Sequence, residues 1–115
     1  MKFLTFSKDG NESYGAVVEN GVVDLGKRHT DIPDLRQAIR DGRLDELAKE
    51  ASDAAADHAI GDVTFLPPIP NPEKVICIGV NYANRNAEYK DGSEAPKYPS
   101  VFMRTRESLT GHEQP

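Results

Sequence analysis

The chain is short of cysteine and of basic clusters, and each shortage excludes a class of protein. Cys77 is the single cysteine among 115 residues, so no disulfide framework or thiolate zinc site can form within one chain. The 14 basic and 19 acidic side chains give a formal charge of −5. No cluster of Lys and Arg offers the basic surface that nucleic acids require. We therefore expect no nucleic-acid partner.

Long apolar runs are absent as well. No uninterrupted stretch approaches the roughly 20 apolar residues of a membrane span, and the apolar part of the N-terminus is too short for a signal peptide. The hydrophobic fraction of 37% supports only a modest core, and the length fits one small domain or part of a larger one. These features predict a cytoplasmic protein without a membrane partner.

Turn dipeptides in the first quarter of the chain predict an antiparallel β-meander. Asp9-Gly10 and Asn20-Gly21 separate runs that contain β-branched residues or in which apolar and polar residues alternate. A type I′ turn needs positive φ at both central residues, so Asn-Gly between such runs is a strong hairpin signal. With the run over residues 2–7, the two dipeptides predict three consecutive strands.

The next stretch predicts two helices. Asp31 is placed to cap the first helix, with Pro33 in its first turn and Gly42 just past its end. The second helix carries small apolar residues at helical spacing, namely Leu44, Leu47, Ala48, Ala51 and Ala55. This thin apolar stripe favours close packing against a sheet.

A proline-rich segment then predicts a connector between two structural units. Four prolines lie among residues 66–72, at positions 67, 68, 70 and 72. Proline lacks an amide hydrogen and restricts the residue before it, so the segment should be extended. The predicted organisation is a small α+β domain over residues 1–66, a connector over 67–72, and the beginning of a second domain over 73–115.

The second domain is predicted to be incomplete. The apolar run over residues 74–79 is typical of a strand covered on both faces, and Cys77 within it should be an inert, buried thiol. Residues 100–104 predict a further strand, and the last residues form a polar tail without closure. Two strands are too few to build a core.

The polar segment between these strands carries the candidate chemistry. Gly79 alone is too weak a signal for a dinucleotide-binding loop. Arg85 and Glu88 stand three residues apart, so on a helix they would share a face, and a solvated ion pair is their simplest interpretation. Asn81 is placed to cap that helix.

Residues 72–82, then Glu88, then residues 95–104 resemble the start of the catalytic domain of the fumarylacetoacetate hydrolase family. The shared features are a strand that closes in Gly-x-Asn-Tyr, a Glu six residues after that Tyr, and a later strand with Pro and Phe. The predicted hairpin over residues 15–25 resembles the small N-terminal domain of many bacterial members. The resemblance implies an α+β fold in which this domain precedes a mixed β-sandwich roll.

The resemblance also implies a class of enzyme. Members act on 2-oxo or 1,3-dioxo acids, by C–C hydrolysis, isomerisation, hydration or decarboxylation, partly in aromatic catabolism, and commonly form homodimers. They use Mg²⁺ or Mn²⁺, with Ca²⁺ in some members, to stabilise an enolate. The family's metal-binding Asp and Glu residues follow the segment present here, so no metal ligand is expected in this chain. A non-catalytic binding or assembly domain of the same shape is the alternative.

Four residues receive roles from the resemblance. Glu88 is the predicted catalytic residue. Many hydrolytic members have His where this sequence has Arg85, and a guanidinium cannot act as a general base near neutrality. Arg85 is therefore predicted to bind a substrate carboxylate, which leaves isomerisation, hydration or a lyase step more open than hydrolysis. Tyr82 and Arg104 are predicted to bind substrate, with packing and a surface ion pair as their alternatives.

The histidines match no functional position in the family. We expect all three of them, His29, His58 and His112, to be exposed.

Overall fold

The computed structural model describes residues 1–79 and 98–115. The chain forms two compact units: unit 1 comprises Met1–Asn71 with Leu109–Pro115, and unit 2 comprises Pro72–Ser108. The predicted α+β class with antiparallel sheets is confirmed. None of the helices among the described residues is long and apolar enough to cross a membrane.

Unit 1 is built on an antiparallel sheet of four strands in the described part of the chain. The strands are β1 (Lys2–Lys8), β2 (Asn11–Val18), β3 (Gly21–Asp24) and β4 (Thr64–Leu66), and their order in the sheet is β3-β2-β1-β4. The first three form the predicted meander. Strand β4 was not predicted, because three residues before a proline-rich segment are too short for an alternating pattern to be recognised.

The turn between β1 and β2 has the predicted geometry. Asp9 and Gly10 have φ values of 52° and 81°, as both central residues of a type I′ turn require. Lys8 pairs with Asn11 on either side of the turn. The Asp-Gly dipeptide therefore sets the register of this hairpin.

The turn between β2 and β3 is displaced by one residue from its predicted place. Val18 pairs with Gly21, so Glu19 and Asn20 are the central residues, and neither is among the described residues with positive φ. Gly21 opens β3 with φ 146°, and a Cβ there would lie 2.0 Å from the carbonyl oxygen of His58. The glycine is required by the close approach of the His58 backbone rather than by the turn.

Three α-helices among the described residues pack on one face of this sheet: α1 (Leu25–Arg28), α2 (Leu35–Arg40) and α3 (Leu44–Asp53). Helix α3 buries Leu47 and Ala51 as predicted, but it ends at Asp53, so Ala55 lies beyond it and is exposed. The apolar stripe is therefore one turn shorter than the alanine spacing indicated.

Helix α2 is capped by Asp34 rather than by Asp31. The Asp34 carboxylate accepts a hydrogen bond from the backbone N–H of Gln37 at 2.7 Å. Asp31 instead lies 3.5 Å from the guanidinium of Arg43. Gly42, with φ 67°, follows the end of the helix as predicted.

Each face of the sheet in unit 1 is covered by its own apolar cluster. Tyr14, Ala16 and Val23 pack with the helices on one face. On the other face, a smaller cluster contains Leu4, Phe6, Val22 and Val63. This alternation follows from the pleat, which directs successive side chains to opposite faces.

Unit 2 contains a two-stranded antiparallel ribbon in its described part, formed by β5 (Val75–Gly79) and β6 (Ser100–Arg104), with a 3₁₀ turn at Arg106–Ser108. Both strands were predicted. The expectation that β5 is covered on both faces is wrong for the described residues, since Ile76 and Ile78 are 58% and 62% exposed. Cys77 is likewise half-buried rather than buried.

Candidate functional site

Three of the four predicted site residues lie outside the described residues. Tyr82, Arg85 and Glu88 belong to the range 80–97, as does the predicted cap Asn81. Their roles stay predictions. The structure instead places the two strands that precede and follow this range along the chain.

In the ribbon, Arg104 lies at the end opposite Gly79, the last described residue before the range 80–97. Gly79 pairs with Ser100 at one end, and Val75 pairs with Arg104 at the other. Four residues at roughly 3.4 Å each put the two ends about 14 Å apart. Ser100 is therefore the described hydroxyl residue next to Gly79. The sequence predicted only that Ser100 belongs to a strand, because its pairing with Gly79 depends on the strand register.

Arg104 shares one face of β6 with an aromatic ring. Its guanidinium carbon lies 6.0 Å from the centroid of the Phe102 ring, at the outer limit for a cation–π contact. Residues two apart on a strand point to the same face, and Cys77 pairs with Phe102 on that face. Arg104 is exposed, so its charge is accessible to an anionic ligand.

The other face of the ribbon is wholly apolar. Side chains of directly paired residues share a face, and here the pairs are Ile76 with Met103 and Ile78 with Val101. These four side chains are between 58% and 64% exposed. One face of the ribbon thus offers a cation and a ring, while the opposite face is suited to packing.

A polar cluster in unit 1 was not anticipated from the sequence. The buried carboxylate of Asp24 accepts hydrogen bonds from the Ser13 hydroxyl at 2.5 Å and from the backbone N–H of Lys27 at 3.0 Å. The His58 Nε2 lies 3.3 Å from the other Asp24 oxygen. The carboxylate stands between the serine and the histidine, so no imidazole is placed to take the Ser13 proton. This cluster caps α1 and is not a nucleophilic site.

Two of the three histidines contradict the expectation of exposure. His58 is half-buried, with its ring edge-on to Phe6 at a centroid distance of 5.8 Å. His29 is half-buried as well, and its Nε2 lies 2.6 Å from a Glu50 oxygen. His112 is exposed as expected. Histidine carries no sequence signal for these contacts, because both partners are distant along the chain.

A cavity of about 370 Å³ in unit 1 has polar walls that include Glu12, Tyr14, Asp34 and Asn71. Asp34 is already engaged, because Asn71 Nδ2 donates to it at 2.9 Å. The buried Tyr14 hydroxyl has no hydrogen-bond partner among the described residues. Burial, and then the charge of Asp31, raise the pKa of Tyr14 to about 12. Tyr14 is therefore neutral at physiological pH and cannot act as a base.

The described residues do not fit the divalent cation that the resemblance implies. Within residues 1–79 and 98–115, no group of three or more His, Cys, Asp or Glu side chains is placed to hold a metal ion. Hard cations require several oxygen ligands at once. The described residues therefore supply no set of ligands for such a cation.

No model of a protein family matches the chain, but individual proteins match nearly all of it. Oxaloacetate tautomerase YisK of Bacillus subtilis is 28% identical over 97% of this chain and 44% of its own length. The mitochondrial oxaloacetate tautomerase fahd2 of Xenopus laevis is 29% identical over 100% of this chain and 38% of its own length. Both alignments therefore span the segment with the Gly-x-Asn-Tyr pattern.

A solved structure agrees with the sequence comparison. The crystal structure of a Mycobacterium smegmatis protein assigned as HpcE superposes with a TM-score of 0.64 at 27% identity, over 93% of this chain and 37% of that one. The chain belongs to the fumarylacetoacetate hydrolase family. The α+β architecture is consistent with a part of that family's fold. The chain spans between 37% and 44% of the length of these three proteins.

Proposed function

We propose that this chain is the N-terminal part of an enzyme that interconverts the keto and enol forms of oxaloacetate. The observation that carries the proposal is the match of 97% and 100% of the chain to two oxaloacetate tautomerases, one bacterial and one vertebrate. Arg85 supports the same reaction. A guanidinium cannot activate water for hydrolysis near neutrality, whereas tautomerisation consumes no water.

Tautomerisation relocates one proton and changes nothing else in the overall balance. The C3–H bond breaks, its electron pair forms the C2–C3 double bond, and the C2 oxygen gains a proton. We assign removal of the C3 proton to the carboxylate of Glu88, since a positioned carboxylate is a suitable general base. The same carboxyl group, or water, returns a proton to the C2 oxygen.

Oxaloacetate is a dicarboxylate, so its recognition calls for cations. Arg85 is assigned to one carboxylate, because a guanidinium binds a carboxylate in a bidentate manner. Arg104 is the second candidate, since its exposed guanidinium lies on the face of the ribbon that also carries Phe102. Tyr82 is assigned to the wall of the same site.

The whole protein is proposed to use Mg²⁺ or Mn²⁺, or Ca²⁺, held by residues that are not in this chain, and to be a cytoplasmic homodimer. Bound by those residues, such a cation would supply Lewis-acid stabilisation of negative charge on the substrate's oxygens. Hydrolysis, hydration and decarboxylation of other 2-oxo acids are the competing reactions in the same family. A binding or assembly domain without turnover is the competing function.

The test uses the natural gene product, including any residues that follow Pro115, with Mg²⁺ and with Mn²⁺. Enol oxaloacetate is added, and its ultraviolet absorbance is followed to the keto–enol equilibrium. A faster approach to equilibrium without loss of total oxaloacetate supports the proposal. Cleavage of an acylpyruvate or hydration of a hydroxy-dienedioate, with tautomerisation no faster than in buffer, overturns it. No effect on any of these substrates supports the binding domain.

Two variants test the roles proposed for Glu88 and Arg85. Glu88→Gln should lower kcat by about a hundredfold or more, as expected for loss of a general base. Arg85→Ala should raise KM for oxaloacetate with a smaller effect on kcat, because it removes binding rather than proton transfer. Arg40→Ala is the matched control, since Arg40 is an exposed arginine of α2. An unchanged KM in Arg85→Ala would contradict the assignment.

A further inference from the structure

The last seven residues lie against the sheet of unit 1 rather than forming a free polar tail. Leu109–Pro115 belongs to the same compact unit as Met1–Asn71. A Cβ added to Gly111 would lie 2.0 Å from the carbonyl oxygen of Phe65 in β4 and 2.7 Å from its carbonyl carbon. A non-glycine residue therefore cannot approach the strand this closely without displacing the backbone.

A second contact with Phe65, made by the ring of His112, fixes the position of the segment. The ring of His112 meets the ring of Phe65 edge-on, with centroids 5.6 Å apart and an interplanar angle of 85°. Aromatic pairs favour this geometry. Backbone and ring of Phe65 thus both contact the segment, which makes the contact specific in position.

Internal hydrogen bonds give the segment a defined shape. The backbone N–H of Gln114 donates to the carbonyl of Gly111 at 3.2 Å. The Thr110 hydroxyl lies 3.2 Å from the carbonyl oxygens of both Gln114 and Pro115. The segment is a compact turn, and a compact turn loses less conformational entropy on docking than an extended tail.

The segment covers a vulnerable part of unit 1. Strand β4 lies at the edge of the sheet, where unpaired backbone groups can pair with other chains. Thr110, Gly111 and His112 also wall a cavity of about 230 Å³ whose other walls include Phe3 and Leu4. Removal of the segment would expose this apolar edge to water.

We propose that Leu109–Pro115 is a strap that completes unit 1, that the edge of β4 is its docking site, and that Gly111 specifies the contact. Along the chain, unit 2 is then an excursion that leaves unit 1 after Asn71 and returns at Leu109. Unit 1 is thus completed by residues that follow β6 along the chain. This inference is independent of the proposed reaction.

The test measures amide hydrogen exchange in the whole chain by mass spectrometry. Gly111→Ala should raise exchange about tenfold or more in residues 109–115 and 63–66, because local opening sets the exchange rate. Gly61→Ala is the matched control, since nothing lies within 4 Å of a Cβ added there. Equal exchange in the two variants at both segments would overturn the proposal.

Two further variants keep the proposal testable if Gly111→Ala does not fold. His112→Ala adds no bulk, and it should raise exchange in the same two segments. His112→Phe keeps a ring against Phe65 and should retain the protection of the native chain. Uniform loss of protection throughout unit 1, including β2, would indicate a general stability effect and would contradict a local strap.

Discussion

The hydroxyl of Ser13 donates a 2.5 Å hydrogen bond to the carboxylate of Asp24, which is only 7% exposed. The backbone N–H of Asp24 in turn donates to the Asp57 carboxylate at 2.8 Å, and Arg28 donates to the same Asp57 oxygen at 2.9 Å. These contacts join β2 and β3 to the loop after α3. The end of the meander is thus held by polar contacts as well as by apolar packing.

Replacement of Asp24 should destabilise unit 1 strongly. Asp24→Ala removes the cap of α1 and the acceptor of the Ser13 hydroxyl in a buried place, so we expect a loss of about 2 kcal/mol or more. Asp53→Ala is the control, because Asp53 is an exposed acid at the end of α3. Urea unfolding measures the free energy of both variants. Similar values for the two would show that the buried cluster does not stabilise the fold.

The stability of unit 1 should fall in acid. Burial raises the pKa of Asp34, but hydrogen bonds from Asn71 and from the Gln37 N–H outweigh burial and leave the pKa below 3.8. Burial of Asp57 is likewise outweighed, by the Asp24 N–H and by Arg28, and the pKa is again lowered. A lowered folded-state pKa contributes stability that is present above the unfolded-state value and lost as pH falls through the folded one. The unfolding free energy should therefore decrease as pH falls below about 4.

A variant isolates the Asp34 contribution. Asn71→Ala removes one donor to the Asp34 carboxylate, so its folded-state pKa should rise towards the ordinary value. The dependence of unfolding free energy on pH between about 5 and 3 should then be shallower. Asn20 lies in an exposed turn, so Asn20→Ala should change the unfolding free energy by the same amount at every pH and leave its pH dependence unchanged. The same slope in all three proteins would refute the role of Asn71.

In solution, the apolar face of the ribbon should make this chain of 115 residues bind apolar dyes and self-associate. A two-stranded ribbon is marginal by itself, and exposed apolar patches bind dyes and promote association. Ile78→Thr with Val101→Thr should reduce the fluorescence of a bound apolar dye and shift sedimentation towards the monomer. Ile39→Thr is the control, since Ile39 is a 51% exposed residue of α2. An equal effect of Ile39→Thr would show that the ribbon face is not the responsible surface.

Arg104 and Arg106 offer a matched pair for the proposed substrate contact. Arg104→Met in the natural gene product should raise KM for oxaloacetate about tenfold, because it removes a charge-assisted contact to a carboxylate. Arg106 is engaged by Glu107 at 2.8 Å, so Arg106→Met should leave KM within about twofold. Steady-state kinetics of both variants measure the two KM values. Equal KM values would remove Arg104 from the site.

Local signals predicted much of the secondary structure. The Asp9-Gly10 turn, the strands of the meander, the position of Gly42 after α2 and both strands of the ribbon follow from short patterns of turn residues and apolar periodicity. Such patterns act through the conformations of neighbouring residues, so the sequence contains the whole signal. The family resemblance depended on the same kind of local pattern around Gly79.

Other features depend on partners that are distant along the chain. Asp34 caps α2 in place of Asp31, and Gly21 is required because the backbone of His58 approaches it. The contact of His29 with Glu50 joins the end of α1 to α3. No short window of sequence contains both members of these pairs.

The sequence by itself determined the fold class, the positions of most strands and helices, and the resemblance to the family, while the roles of Tyr82, Arg85 and Glu88 stay predictions. Tertiary structure alone decided that Ser100 rather than Arg104 is paired with Gly79, and that Leu109–Pro115 returns to the edge of β4. The physical reason is that strand register and edge docking depend on which distant surfaces meet. A local pattern specifies only the conformation in which each surface is presented.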